Sequence, residues 1–120
     1  MIYGIGNDAI EIGRIEKRLD NGRFMTFVYS QAEREAFGGN ATKLAGCFAA
    51  KEALSKALGT GVRGFSLDEI SVLRDELGKP YFVFAGSIEA ILRERRLTAF
   101  VALTNTAELA IANVILEKEI

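Results

Sequence analysis

Along this 120-residue chain the spacing of apolar positions changes from mostly helical in the first half to mostly strand-like in the second. Residues 1–8 read as a short strand ending in a glycine-rich turn, and Ile12, Ile15 and Leu19 lie at helical spacing within a helix over Ile10–Leu19. Arg23–Tyr29 fits neither period. Ser30-Gln31-Ala32-Glu33 has the form of a capping box, in which each side chain accepts from the other residue's free backbone N–H. It predicts a short helix that Gly38-Gly39 stops. Asn40 then caps the longest helix, Ala41 to Leu58, which is built from good helix formers and ended by Gly59. Apolar side chains surround most of its circumference, the mark of a central, buried helix.

In the second half, Ile70–Arg74 and Tyr81–Phe84 read as strands joined by a turn containing Gly78. Pro80 stands at a strand start, where a missing N–H does least harm. Ser87–Arg96 reads as a helix with Ile88, Ile91 and Leu92 inward and Arg93, Arg95 and Arg96 outward. Phe100–Thr104 and Leu109–Leu116 read as strands around a polar turn at Asn105-Thr106. The pattern predicts an α+β fold, with one long central helix and further helices packed on an antiparallel sheet. Its length suits one domain over residues 1–120. No apolar run reaches transmembrane length and no basic segment precedes the first apolar residues, so the expected location is cytoplasmic.

Composition narrows the chemistry. The chain has no histidine and one cysteine, which removes the Ser-His-Asp triad, the Cys-His pair, the imidazole zinc site and any internal disulfide. Acid–base work must fall to carboxylates, lysine, tyrosine or solvent. Fifteen basic against sixteen acidic residues leave a formal charge of −1, which argues against nucleic acid as a partner. Hydrophobic residues make up 49% of the chain, slightly rich for its size and a weak sign of an apolar subunit interface.

Four constellations stand out. Gly4-Ile5-Gly6-Asn7-Asp8-Ala9 has the spacing of a dinucleotide fingerprint, but Arg23–Val28 supplies no acidic residue to close the following strand. A glycine turn at a strand end is the better reading, with Asp8 placed to hold a cation. Phe48, Glu52 and Lys56 share one helix face at i, i+4 and i+8, and Glu52 to Lys56 is the favoured ion-pair order. An ordinary surface pair and a functional pair both remain open there. Gly59-Thr60-Gly61-Val62-Arg63-Gly64 follows its helix instead of preceding it, so it reads as a C-cap and not a P-loop. Arg14, Lys17, Arg18 and Arg23, diluted by Glu11, Glu16 and Asp20, read as a mixed-charge face. Cys47, in an apolar helix, reads as a buried core residue.

Taken together, several segments carry a family resemblance. They are Gly4-Ile5-Gly6-x-Asp8, Arg14-Ile15, Phe48-Ala49-Ala50-Lys51-Glu52-Ala53, Ser55-Lys56-Ala57-Leu58-Gly59-Thr60-Gly61, Glu69-Ile70-x-Val72-Leu73 and Gly78-Lys79-Pro80-Tyr81. Over essentially the whole chain the sequence resembles the bacterial holo-[acyl-carrier-protein] synthases, the short 4′-phosphopantetheinyl transferases. The resemblance implies that fold and a Mg²⁺-dependent transfer of 4′-phosphopantetheine from coenzyme A to a serine of apo-acyl carrier protein, in the service of fatty acid biosynthesis or a related pathway. It implies Asp8 and Glu52 as metal ligands, Glu52 as acceptor of the serine proton, and Lys56 as the group that stabilises or protonates the leaving phosphate. Gly59 and Gly61 would let backbone approach the nucleotide and Pro80 would line its pocket. Lys43, Phe48, Arg63, Thr104, Asn105 and Thr106 complete the expected coenzyme A contacts. The acidic carrier would dock on Arg14, with Arg18, Arg23 and Phe24 beside it, and the enzyme would be a homotrimer with sites between subunits.

The family's usual Val-Ser-Ile-Ser-His-Thr run is altered at both serines, now Ala102 and Thr104, and two further positions lose a possible cation. Asn105 stands in Val101-Ala102-Leu103-Thr104-Asn105-Thr106 where histidine is usual, and Cys47 stands where arginine is frequent. Both losses touch phosphate recognition, and they predict weaker preference for coenzyme A over its 3′-dephospho form, with Lys43 and Arg63 as candidate replacements. They also keep open a catalytically impaired member that serves as a nucleotide- or carrier-binding module.

Overall fold

The structure, a computed structural model, describes residues 1–120. Strand β1 (Ile2–Glu11) leads into three short helices, α1 (Ile12–Glu16), α2 (Gly22–Val28) and α3 (Gln31–Phe37), and then into the long helix α4 (Ala41–Leu58). A 3₁₀ turn at Leu67–Glu69 precedes the hairpin β2 (Ile70–Arg74) and β3 (Pro80–Phe84), and α5 (Gly86–Glu94) connects it to β4 (Leu97–Asn105) and β5 (Leu109–Lys118). The fold is α+β, as the alternation predicts.

The antiparallel strands form two sheets, a three-stranded one in the order β1-β5-β4 and the two-stranded β2-β3 hairpin. Helix α4 lies on one face of the larger sheet, packed most densely on β1 and β5. Leu44, Ala49, Ala50, Ala53 and Leu54 of α4 are fully buried, as are Ala112, Val114 and Leu116 of β5. Alanines on both surfaces hold helix and sheet close together, and α1, α3 and β2 cover α4 on its other sides, which is why this helix is apolar almost all round.

Local signals account for the helix ends. The Ser30 hydroxyl accepts from Glu33 N and the Glu33 carboxylate accepts from Ser30 N, completing the capping box. The Asn40 side chain accepts from Lys43 N at the start of α4, and Gly59 closes it with φ +85°. Four expectations change. The first helix is only Ile12–Glu16, the ambiguous segment is helix α2, and β4 begins earlier, at Leu97.

The largest change is at the N-terminus. Gly4-Ile5-Gly6 is not a turn: β1 continues through it to Glu11. A Cβ at Gly4 would sit 2.0 Å from the Ala57 carbonyl oxygen, and one at Gly6 would sit 1.9 Å from that of Ala53. These glycines let the strand backbone touch the α4 backbone, a role that periodicity along one strand does not reveal.

Candidate active site

Close contact between β1 and α4 brings Asp8 to Glu52 and Lys56. Asp8 sits mid-strand opposite Ala112, on the sheet face that carries α4. Lys56 Nζ lies 3.1 Å from Asp8 Oδ1. The ion pair that spacing predicts within α4, Glu52 to Lys56, is therefore replaced by one between helix and strand. Burial raises the Glu52 carboxyl above its ordinary value, the Asp8 charge raises it further, and Lys56 pulls it back. Asp8 is thus near enough for its charge to act on Glu52, whose carboxyl is shifted toward holding a proton.

No cluster of three or more metal-binding side chains occurs. Two carboxylates alone are a poor closed metal cage. They suit a hard cation that keeps most of its positions for water and phosphate oxygens, as Mg²⁺ does. Their mutual repulsion is itself a reason for a cation to bind between them.

A second cluster lies beside the first. Ile10, two residues beyond Asp8 on the same face of β1, joins Arg14, Ile15, Arg18, Phe24 and Phe48 around a small hollow of roughly 60 Å³. The Arg18 guanidinium stands 5.0 Å from the Phe24 ring centre. Phe48 is one turn before Glu52, so this hollow, with a basic rim and apolar floor, adjoins the carboxylates. Phe48 accordingly sits among the residues proposed for the carrier and away from the other coenzyme A candidates. Arg23 is exposed and lines none of this hollow.

At the amino end of α4, Lys43, Thr104 and Asn105 converge with Asn40, Thr42, Gly46, Leu103, Ala110 and Arg74 on a polar cavity of about 300 Å³. The other nucleotide candidates do not meet there. Thr106 uses its hydroxyl to accept from Glu108 N and Leu109 N in the β4–β5 turn. Gly59, Gly61 and Arg63 lie in the exposed loop after α4, and Pro80 begins β3 opposite Arg74.

Sequence reasoning missed two groups. Lys51 is buried and donates from Nζ to Val28 O (2.6 Å), Leu67 O (3.0 Å) and Glu33 Oε1 (2.6 Å). Glu33 Oε2 in turn accepts from Val72 N. This pair ties α2, α3, α4 and the β2 hairpin together. Its only sequence signal was a lysine inside an apolar helix face. Arg74 was missed because it lies on β2, far in sequence from the α4 cavity it enters.

The fold is that of solved phosphopantetheine-transferring enzymes. It superposes on holo-[acyl-carrier-protein] synthase from Neisseria meningitidis with a TM-score of 0.89 at 34% identity, covering 98% of this chain and 100% of that one. The Bacillus anthracis enzyme, solved in complex with CoA (3′,5′-ADP), superposes at 0.83 with 37% identity and 99% coverage of each chain. Among curated sequences, the holo-[acyl-carrier-protein] synthase of Fusobacterium nucleatum is 52% identical over 99 residues, 80% of this chain and 81% of its own. That of Lachnoclostridium phytofermentans is 43% identical over 116 residues, 96% and 95%. The chain belongs to the 4′-phosphopantetheinyl transferase superfamily, whose family model matches residues 4–112.

Proposed function

We infer that the protein transfers the 4′-phosphopantetheine group of coenzyme A to a serine hydroxyl of apo-acyl carrier protein, releasing adenosine 3′,5′-bisphosphate. This is the activity for which its relatives are named holo-[acyl-carrier-protein] synthase. The observation that carries it is the meeting of Asp8, Glu52 and Lys56, held by the contact of Gly4 and Gly6 with α4. Residues 1–120 form one 4′-phosphopantetheinyl transferase domain.

Glu52, whose carboxyl already leans toward protonation, takes the proton of the attacking serine. The serine oxygen bonds to the phosphorus that carries pantetheine, and the bond from that phosphorus to the adenylate oxygen breaks. Lys56 neutralises or protonates the departing phosphate, its ammonium being free to leave Asp8 when other charges enter. Asp8 and Glu52 are the residues that would hold Mg²⁺, which would supply charge neutralisation on the pyrophosphate.

The hollow with Arg14, Arg18 and Phe24 suits an acidic carrier, because its guanidinium groups steer negative charge while the apolar floor anchors the partner beside Glu52. On the opposite face of the larger sheet, Ile5, Ile115 and Phe100 form one row across all three strands and are 66%, 40% and 53% exposed. Such a row on a sheet face calls for a covering surface, and we assign it to the homotrimer.

Incubation with coenzyme A, Mg²⁺ and apo-acyl carrier protein should add one phosphopantetheine to the carrier by mass spectrometry. Loss of that product in Glu52→Gln and Asp8→Ala would exclude a non-catalytic binding module. No transfer by the trimeric wild type to several carriers would sink the reading.

A further inference from the structure

We propose that Arg74 is a donor-binding and specificity residue, which with Lys43 holds the 3′-phosphate of coenzyme A in the polar cavity at the amino end of α4. The assignment rests on the donor being coenzyme A, as argued above.

The cavity is built for an anion. None of its nine lining residues is acidic, and two are cationic. Neither Arg74 nor Lys43 belongs to an ion pair, for the only two in the chain are Lys51 with Glu33 and Lys56 with Asp8. Arg74 Nε is fully buried and has no hydrogen-bond partner, the one side-chain atom in the chain left so. A buried guanidinium N–H without an acceptor is costly, and native proteins rarely leave one unless a ligand completes it.

The geometry suits a phosphate. Arg74 Nη2 lies beside Gly46, another residue of the cavity wall, where an added Cβ would approach it to 3.8 Å, and it offers a phosphate its N–H groups. Nε is shut off from the cavity as the side chain stands and gains an acceptor only when the guanidinium turns onto the phosphate. Thr104, Asn105 and Thr42 add neutral polar groups to the cavity wall. The amino end of α4 contributes its positive dipole end to the same wall.

Coenzyme A carries two phosphate sites, the pyrophosphate and the 3′-phosphomonoester. The pyrophosphate belongs with Asp8, Glu52 and Lys56. Glu52 lies six residues beyond Gly46, about 9 Å further along the helix axis, so the cavity is left for the monoester. Arg74 also approaches Cys47 closely enough to oppose the rise of its thiol. On this proposal the charge expected on α4 at position 47 comes instead from β2, and a clear preference for the 3′-phosphate is expected where the Asn105 and Cys47 departures alone predict a weak one.

Titration calorimetry on the full chain should compare coenzyme A, 3′-dephospho-coenzyme A and adenosine 3′,5′-bisphosphate. In Arg74→Ala, both 3′-phosphorylated ligands should weaken by roughly 10- to 100-fold, and the dephospho form by less than about twofold. Arg74→Lys, which keeps charge but loses the fork, should fall between. Equal weakening of all three ligands would make Arg74 a support of the fold and overturn the proposal, as would no weakening. Wild type that binds coenzyme A and the dephospho form equally would overturn it as well. If Arg74→Ala fails to fold, Arg74→Lys against Arg74→Gln reads the same ratio. The function reading fails separately: wild type that prefers 3′-phosphorylated ligands but transfers nothing to the carrier keeps Arg74 in place and removes the reaction.

Discussion

Gly6→Ala tests the link between packing and chemistry most directly. The new methyl would start 1.9 Å from the Ala53 carbonyl oxygen and 2.7 Å from Ala57 N, both backbone atoms that cannot rotate away. Reaching even 3.0 Å requires β1 and α4 to separate by about 1 Å, and overpacking of this kind costs about 1–3 kcal/mol. Against a whole-protein stability of about 5–15 kcal/mol, the variant should still fold. Urea unfolding should show the loss as a lower midpoint at unchanged slope. The same separation moves Asp8 away from Glu52 and Lys56, and a displacement of about 1 Å can cost on the order of 100-fold in rate. Turnover of apo-carrier, measured well below the midpoint, should therefore fall far more than the folded fraction does. Gly6→Ala with wild-type midpoint and turnover would refute the reasoning. Lost turnover at wild-type stability would return Gly6 to a direct role at the substrate.

Three further outcomes follow from the same geometry. Lys51→Met strands the buried Glu33 carboxylate and should cost about 3–5 kcal/mol in urea unfolding, with part recovered in Lys51→Met/Glu33→Leu; a cost under about 1 kcal/mol would show the pair to be unimportant. Glu52→Gln should abolish transfer yet raise the melting temperature at neutral pH, because it removes a charge that burial and Asp8 both disfavour; a lowered melting temperature would contradict that. Burial, and then the Glu33 charge, hold the Cys47 thiol above its ordinary 9.0; burial, with Cys47 and Glu33, does the same for the Tyr29 hydroxyl above 10.0. The folded state keeps protons that the unfolded chain releases, so these two groups cost nothing well below pH 9.0 and lower stability as pH rises past it. Cys47→Ala should flatten the start of that decline in urea midpoints measured against pH, and an unchanged slope would speak against it.

Much of the fold was legible in the sequence because its signals act over a few residues. The Ser30–Glu33 box, the Asn40 cap, the Gly59 stop and the alternation in β3 and β5 all depend on near neighbours, and the structure shows each in place. Glu52 and Lys56 on one helix face were equally readable, one helical turn apart. Errors arose where a residue type serves two purposes. Gly4 and Gly6 read as a turn because glycine permits turns, but here the missing Cβ admits a helix backbone.

By itself, then, the sequence determined the helix caps, the strand periods, the exclusion of imidazole chemistry and the family motif that carries Asp8 and Glu52. Only the tertiary structure decided that Lys56 pairs with Asp8, 48 positions away, and that Lys51 is spent on Glu33 and two backbone carbonyls. It alone places Arg74 beside Lys43 and Asn105. The physical reason is the same in each case. A charged side chain takes its role from the groups that surround it when water is excluded, and those groups come from strands and helices distant along the chain.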